Sequence, residues 1–297
     1  MAHAHNHAHP HAPAPDNERL LGRAFLLIGS FMLVEVVGGW LANSLTLLAD
    51  AGHMFLDASA LAFSWYAVRL TRRLVDDRLT YGYHRWEVLA AFVNGLTLMG
   101  MVLWILIEAW GRLSEPQGMV PLPALAVATL GLVVNIIAFR WLHGHEDSAA
   151  VKSAALHVLG DLLGSVAAMA AAFIYWTTGW VYADPLLAVV IAAILGRGAW
   201  RVLSDATHIL LEGVPEGVNL ESIAATITAR VPGVNGVHHL HAWALTPQKP
   251  LLTLHASVDE PADLSQVMNR IKQVLIDEFG IDHSTVQVDH GQCPDHK

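Results

Sequence analysis

Six apolar runs fall near residues 20–42, 45–70, 86–110, 119–142, 150–177 and 181–206. Each is long enough to supply the about 20 helical residues that cross a hydrocarbon core. Glycines interrupt several of them, as membrane helices tolerate where small residues let neighbours approach. After about residue 208 the pattern changes to that of ordinary soluble sequence. Ile223, Ile227 and Val231 mark one apolar face of a short helix, with Asn219 positioned to cap it. "VHHLHAWAL" and "LLTLHASVD" alternate as strands do, joined by the turn "TPQK". "LSQVMNRIKQVLIDEF" predicts a second amphipathic helix, and "STVQVD" a last strand. The pattern therefore predicts a membrane all-α six-helix bundle over 19–207 and a small C-terminal α+β domain, in the order α-β-β-α-β, over 208–297. Residues 1–18 form a His-rich tail too flexible in composition to fold alone.

The basic residues orient the spans. Arg19 and Arg23 precede the first run, while Arg69, Arg72, Arg73, Arg78 and Arg85 surround the second connection. Arg140 and Lys152 flank the fourth connection, and Arg197 and Arg201 end the sixth run. The opposite side carries only Arg112 beside "SEPQGMVP" and the uncharged "TTGWVYADP". This asymmetry predicts a multi-pass protein of the cell (inner) membrane with both termini, and so the α+β domain, in the cytoplasm.

Composition sharpens the same picture. Of 297 residues, 54% are apolar and 14% charged, against roughly 25% charged in soluble domains. The net charge of -9 offers no basic face for nucleic acid. A lone cysteine, Cys293, excludes an internal disulfide framework. The first apolar run lacks the flanks of a cleavable secretory signal.

Against that scarcity of charge, two segments stand out: "LLADAGHMFLD" (47–57) and "ALHVLGDLLGS" (155–165). Each holds a His and an Asp four residues apart, His53 with Asp57 and His157 with Asp161, so each pair shares one helical face. At about 1.5 Å per residue in antiparallel spans, His53 falls level with Asp161 and Asp57 with His157, near the membrane midplane. Two imidazoles and two carboxylates at one depth make a tetrahedral N2O2 set suited to Zn2+ or a similar divalent ion. An unpaired mid-membrane Asp costs at least about 2.5–3.5 kcal/mol, so intramembrane acids are functional candidates. Because metal ligands must shed protons to bind, such a site is a metal/proton exchanger in outline. The bland alternative is a pair of inter-helix hydrogen bonds. Asp50 reads as supporting or pore-mouth polarity, and Glu35, Asn94, Asn135 and Asp184 as packing or capping groups.

With "SLTLLADAGHMFLD", "YGYHRWEVLAAFVNG", "HVLGDLLGS", "YADPLLA" and "ILLEGVP", the chain from about residue 19 onward resembles the zinc-transporting branch of the cation diffusion facilitator family. The resemblance implies a homodimeric, proton-coupled antiporter exporting zinc and cadmium from the cytoplasm. It also implies six transmembrane helices and a ferredoxin-like cytoplasmic domain, with no prosthetic group. His53, Asp57, His157 and Asp161 match the family's transport-site positions, and a His at 53 is similar to zinc-preferring members. His238, His255 and Asp289 match positions that hold regulatory zinc in relatives. Cys293 and His296 resemble the metal-binding tail of animal relatives with one thiol replaced. Leu79 and Tyr83 stand where some bacterial members carry His, leaving His84 displaced by one as a weak candidate ligand.

Other histidines carry weaker signals. Strand alternation sends His239 and His241 to one face and His238 to the other. His3, His5, His7, His9 and His11 form a metal-collecting tract, and His143 and His145 could pass ions towards the fifth helix. The partners implied are membrane lipid, divalent metal ions, protons and a second copy of the chain, with no nucleic acid. A membrane-embedded metalloenzyme is the rival class, but no H-E-x-x-H occurs and a full His2Asp2 shell leaves no position for an activated water. A metal sensor would need no midplane site. Export of another divalent metal, such as cobalt or nickel, stays open.

Overall fold

The computed structural model describes residues 15–71, 77–142, 149–259 and 263–290, without the side chains of some helical residues within those ranges. Six long helices come first in the chain: α1 (Pro15–Ala42), α2 (Leu45–Thr71), α3 (Arg85–Ser114), α4 (Pro121–Leu142), α5 (Ala149–Thr178) and α6 (Ala183–Leu210). They are followed by α7 (Leu220–Arg230), β1 (Val234–Ala244), β2 (Pro250–Val258), α8 (Leu264–Phe279) and β3 (His283–His290). Two compact units result, the described residues of Met1–Leu61 with Asn94–Trp200, and those of Ala62–Val93 with Arg201–Lys297.

The first unit is a helical bundle in which small residues set the spacing. Ala42, Leu47, Met119, Ala124, Ala128, Ala168, Ala171 and Ala172 interlock as one buried cluster of α1, α2, the connection before α4, α4 and α5. Leu45 and Ala49 of α2 pack with Val102 and Ile105 of α3 and with Ala188 and Ala192 of α6 in another. Such close backbone approach is how apolar helices gain dispersion contacts where the surroundings are as apolar as they are. Four helical stretches among the described residues are long and apolar enough to cross a membrane: Arg85–Ser114, Pro121–Trp141, Gly160–Thr178 and Ala183–Leu210. The apolar stretches found in α1 and α2, Leu26–Ala42 and Leu45–Leu56, are shorter. Trp40, Ile107, Trp110, Leu122, Ile194 and Trp200 point outward, as a lipid-facing surface requires and a water-facing one does not.

The start of α2 is held by a buried polar knot. Asn43, in a left-handed conformation (φ 53°), ends α1. The Leu45 and Thr46 amides then donate to the Asp184 carboxylate at 2.7 and 3.2 Å, and the Ser44 hydroxyl donates to it at 2.7 Å. Arg112 lies 3.6 Å from Asp184 and donates to the Asn43 carbonyl at 2.7 Å. The capping role expected of Asp184 is thus real, but the helix it caps is α2, while Asp184 itself stands in the first turn of α6.

The second unit contains a three-stranded sheet in the order β1-β2-β3, with β1/β2 antiparallel and β2/β3 parallel. Ile223 and Ile227 of α7 and Val267, Ile271 and Leu275 of α8 bury against Ala242, Leu252, Leu254, Ala256 and Val258. Asn219 caps α7 by accepting from the Ser222 amide at 3.0 Å, as its position suggests. Gly280 (φ 64°) ends α8 in the left-handed geometry that glycine adopts without strain. The "TPQK" turn closes with the Lys249 amide donating to the Thr246 carbonyl at 2.9 Å.

Asp184→Ala removes the acceptor for two amides and a hydroxyl and strands a buried guanidinium. The expected cost is about 3–5 kcal/mol, larger than that of Asp184→Asn, read as the loss of thermal stability of the purified protein in detergent.

Candidate metal sites

Histidines and a carboxylate come together in the second unit, and buried acids cluster in the bundle. In the bundle, Asp50 and His53 lie on α2, and Asp161 and Gly164 on α5. Gly164 is there because nothing larger fits: a Cβ at 164 would overlap the Asp50 carboxylate. That contact fixes the register of the two helices. Leu47, before Asp50, packs near Ala168 and Ala171, after Gly164, so the helices run antiparallel. Stepping three residues on from Asp50 and three back from Gly164 reaches His53 and Asp161; stepping seven reaches positions 57 and 157. His53 is partly buried and Asp161 buried. The side chains of Asp57 and His157 lie outside the described ones.

Two further acids crowd this region. Glu35 of α1 is fully buried and Asp50 nearly so. The Glu35 carboxyl interacts electrostatically with those of Asp50 and Asp161. Among the described residues neither Glu35 oxygen meets a hydrogen-bond donor, nor does Asp50 Oδ2. Beside them the Asn135 amide donates to the Ser165 hydroxyl at 3.1 Å, tying α4 to α5. Three carboxyls clustered in apolar surroundings need cations or protons to offset them. The sequence reading gave Glu35 only a packing or capping role. Its signal was present, an acid inside the apolar "FMLVEVVGG", but which face of α1 it occupies is decided by packing.

In the second unit, His238, His255 and Asp289 come together on the sheet face opposite the helices. His238 pairs directly with His255 across β1/β2. Asp289, buried, lies 3.1 Å from His255 Nδ1 and 3.4 Å from His238 Nε2 through its Oδ2. The amide of Gln287 donates to the other Asp289 oxygen at 3.0 Å, which orients the carboxylate. One ligand atom from each of the three falls within 4.8 Å of the others, and no other such group occurs among the described residues. Two imidazole nitrogens and a carboxylate are a donor set that fits zinc, with a fourth position to fill.

The alternation expected along "HHLH" does not hold. Between His238 and His241 the strand register slips by one residue, and His239 takes a left-handed φ of 47°. This bulge restores parity: Leu240 and Ala242 face the helical core, so His241 shares the His238 face. His239 is turned onto that same face, its ring 5.1 Å from that of His255 and 5.4 Å from that of His238.

His84 is engaged otherwise. Its Nε2 lies 2.9 Å from the ammonium of Lys249. Partial burial, and then the Lys249 charge, hold its pKa below the ordinary 6.5. Neutral His84 accepts from Lys249, and a metal would have to displace that ammonium. Nearby, Arg85 pairs with Glu212 at 2.8 Å. Cys293, His296, the N-terminal histidines, His143 and His145 lie outside the described residues.

A bundle of long apolar helices with buried acids, joined in sequence to a small domain carrying a His/His/Asp cluster, defines a multi-pass membrane protein that handles metal cations. Residues 21–211 match the family model described as the cation efflux transmembrane domain, and residues 215–291 that of the cation efflux protein cytoplasmic domain. The chain belongs to the cation efflux family; it is a transporter and not an enzyme. It is 44% identical, over 99% of its length and 91% of the relative's, to the zinc transporter ZitB of Pectobacterium atrosepticum. It is 36% identical to a cadmium, cobalt and zinc/H(+)-K(+) antiporter of Bacillus subtilis, over 92% of this chain and 89% of that one. Among solved structures, the metal-bound C-terminal domain of the CzcD transporter from Cupriavidus metallidurans is 40% identical, covering 24% of this chain and 99% of its own, with a TM-score of 0.23.

Two outcomes follow from these contacts. Gly164→Ala pushes Asp50 out of its seat; it should cost about 1–3 kcal/mol of stability and reduce metal flux more than the melting shift explains, with flux and thermal melts measured on the same preparation. For His84, a depressed folded pKa means that the unfolded chain binds the proton more readily. Stability from the His84–Lys249 contact is therefore present above pH 6.5 and declines as pH falls through the lower folded value. NMR titration of the His84 ring should show a midpoint below 6.5 that moves up in Lys249→Ala.

Proposed function

We propose that the chain exports zinc, and cadmium with it, from the cytoplasm across the cell (inner) membrane in exchange for protons. The cargo ion is held by His53, Asp57, His157 and Asp161. The supporting observation is the seating of Asp50 on Gly164, from which the antiparallel register carries His53 to the level of Asp161 and position 57 to that of 157. In this reading residues 19–207 form six spans, residues 208–297 lie in the cytoplasm, and both termini share that side. The chain works as a homodimer, as the cytoplasmic-domain family implies.

The exchange follows from competition for the same atoms. Zinc arriving from the cytoplasm displaces protons from imidazole and carboxylate, and its two charges offset the two aspartates in the apolar interior. When the site opens outward, protons at higher activity re-enter the ligands and release the metal. Coupling needs no second machinery, because metal-loaded and protonated forms exclude one another. The zinc named for ZitB and the zinc and protons named for the Bacillus relative are the chemistry expected here. His238, His255 and Asp289 fit a regulatory zinc: as a set of two imidazoles and a carboxylate they would hold the ion and draw β1, β2 and β3 together on their exposed face.

In reconstituted vesicles, zinc and protons should move in opposite directions. Asp57→Ala or Asp161→Ala should abolish zinc flux while the protein still inserts; wild-type flux from either variant ends this account. His238→Ala combined with His255→Ala should preserve maximal flux and remove its dependence on cytoplasmic-side zinc.

A further inference from the structure

The connection from α2 to α3, the start of α3, the end of α6 and part of β1 line a cavity of about 840 Å3. That is within the about 300–1,000 Å3 of ordinary ligand pockets, and every residue lining it belongs to the second unit. Its level is fixed by the helices that border it. Arg85–Ser114 and Ala183–Leu210 are both long and apolar enough to cross a membrane. Arg85 begins the first, Glu212 follows the second by two residues, and their side chains pair at 2.8 Å. Both spans therefore meet the same membrane surface beside the cavity, which lies at the depth of the headgroup layer.

The lining has the chemistry of that layer. Tyr81 and Trp86 are 51% and 45% exposed, as aromatic residues at a membrane interface are. Leu89, one turn further along α3, is exposed too and continues an apolar wall in the direction of the acyl chains. Arg78 and Arg85 supply permanent positive charge, and Lys249 brings an ammonium to His84 at the rim. Glu212 is the one acid among the lining residues, and it engages a single nitrogen of the Arg85 guanidinium, a group with five N–H donors. A divalent cation would meet two guanidinium groups and one carboxylate here, so the charge favours an anion. Basic pockets at the ends of membrane helices are where anionic headgroups are held.

We infer that this cavity binds the headgroup of an anionic phospholipid, with its phosphate against Arg78 and Arg85 and its glycerol backbone against Tyr81 and Trp86. In the orientation proposed above this is a lipid of the cytoplasmic leaflet. Bound there it touches both the α2–α3 connection and β1, so the charge of the bilayer bears directly on the domain that carries the His238, His255 and Asp289 cluster.

The test uses the full chain, delipidated in mild detergent and titrated with phosphatidylglycerol or phosphatidylcholine of the same acyl chains, with bound lipid counted by native mass spectrometry. Two arginines acting on the headgroup charge make the expected preference for phosphatidylglycerol roughly thirtyfold, and Arg78→Gln should reduce it roughly fivefold. Arg201→Gln removes an exposed arginine of α6 outside the cavity and should change neither affinity. An equal loss in Arg201→Gln means a general attraction to the surface, and equal affinity for the two lipids means no anionic site; either overturns the inference. So does displacement of phosphatidylglycerol by inorganic phosphate at the same concentration, the mark of a small-anion site. Thr80→Cys, at an exposed lining position and combined with Cys293→Ser, reports what covers the cavity. Its reaction with a maleimide should slow as phosphatidylglycerol is added. Protection that follows protein concentration without lipid puts a second copy of the chain over the cavity, and overturns the inference as well.

Discussion

The close approach of α2 and α5 at Asp50 and Gly164 is the constraint on which the membrane unit depends. A carboxylate seated where a Cβ would otherwise be leaves the two helices no freedom to slide by a turn. Everything that faces the same seam inherits that register: Leu47 against the alanines of α5 on one side, His53 and Asp161 on the other. Small residues thereby do more than let helices touch. They set which polar groups meet, and a single added methyl at 164 would displace the Asp50 carboxylate.

The same seam explains why acid is tolerated in an apolar bundle. Glu35, Asp50 and Asp161 come from three helices and converge in buried surroundings. Burying one carboxyl is costly, and burying three side by side is more so, unless positive charge joins them. A transporter can use that debt as a driving force for taking up a dication or protons, since either relieves the same strain. The knot at the start of α2 resolves the problem differently: there the charge of Asp184 is met by fixed amide donors and by Arg112, leaving nothing for a mobile ion to neutralise.

In the second unit the sheet carries two separate loads on its two faces. Ile223, Ile227, Ile271 and Leu275 bury one face and stabilise the fold by apolar contact. The other face is polar, and there His238, His255 and Asp289 converge from three strands whose pairing is fixed by the core beneath. The apolar core lies on the helix-packed face, so the histidine cluster adds nothing to it.

Much of this was legible in the residues. Apolar run length marked the long helices, period-2 alternation marked the strands, and Asn219 marked a cap, because each signal is carried by near neighbours in sequence and by a fixed helical or strand period. The features that escaped were those set by contact between distant segments. No local pattern says that Asp184 caps α2, that Glu35 of α1 turns towards Asp50, or that Lys249 occupies the ring of His84. The sharpest case is His239: alternation sends it to the core face, and a one-residue slip in pairing with β2 sends it to the other. Sequence periodicity determines which side chains share a face only while the backbone keeps its period. Where the partner strand or helix imposes a bulge, a cap or a seat for a carboxylate, the tertiary structure decides, because the free energy at stake lies in the contact and not in the segment.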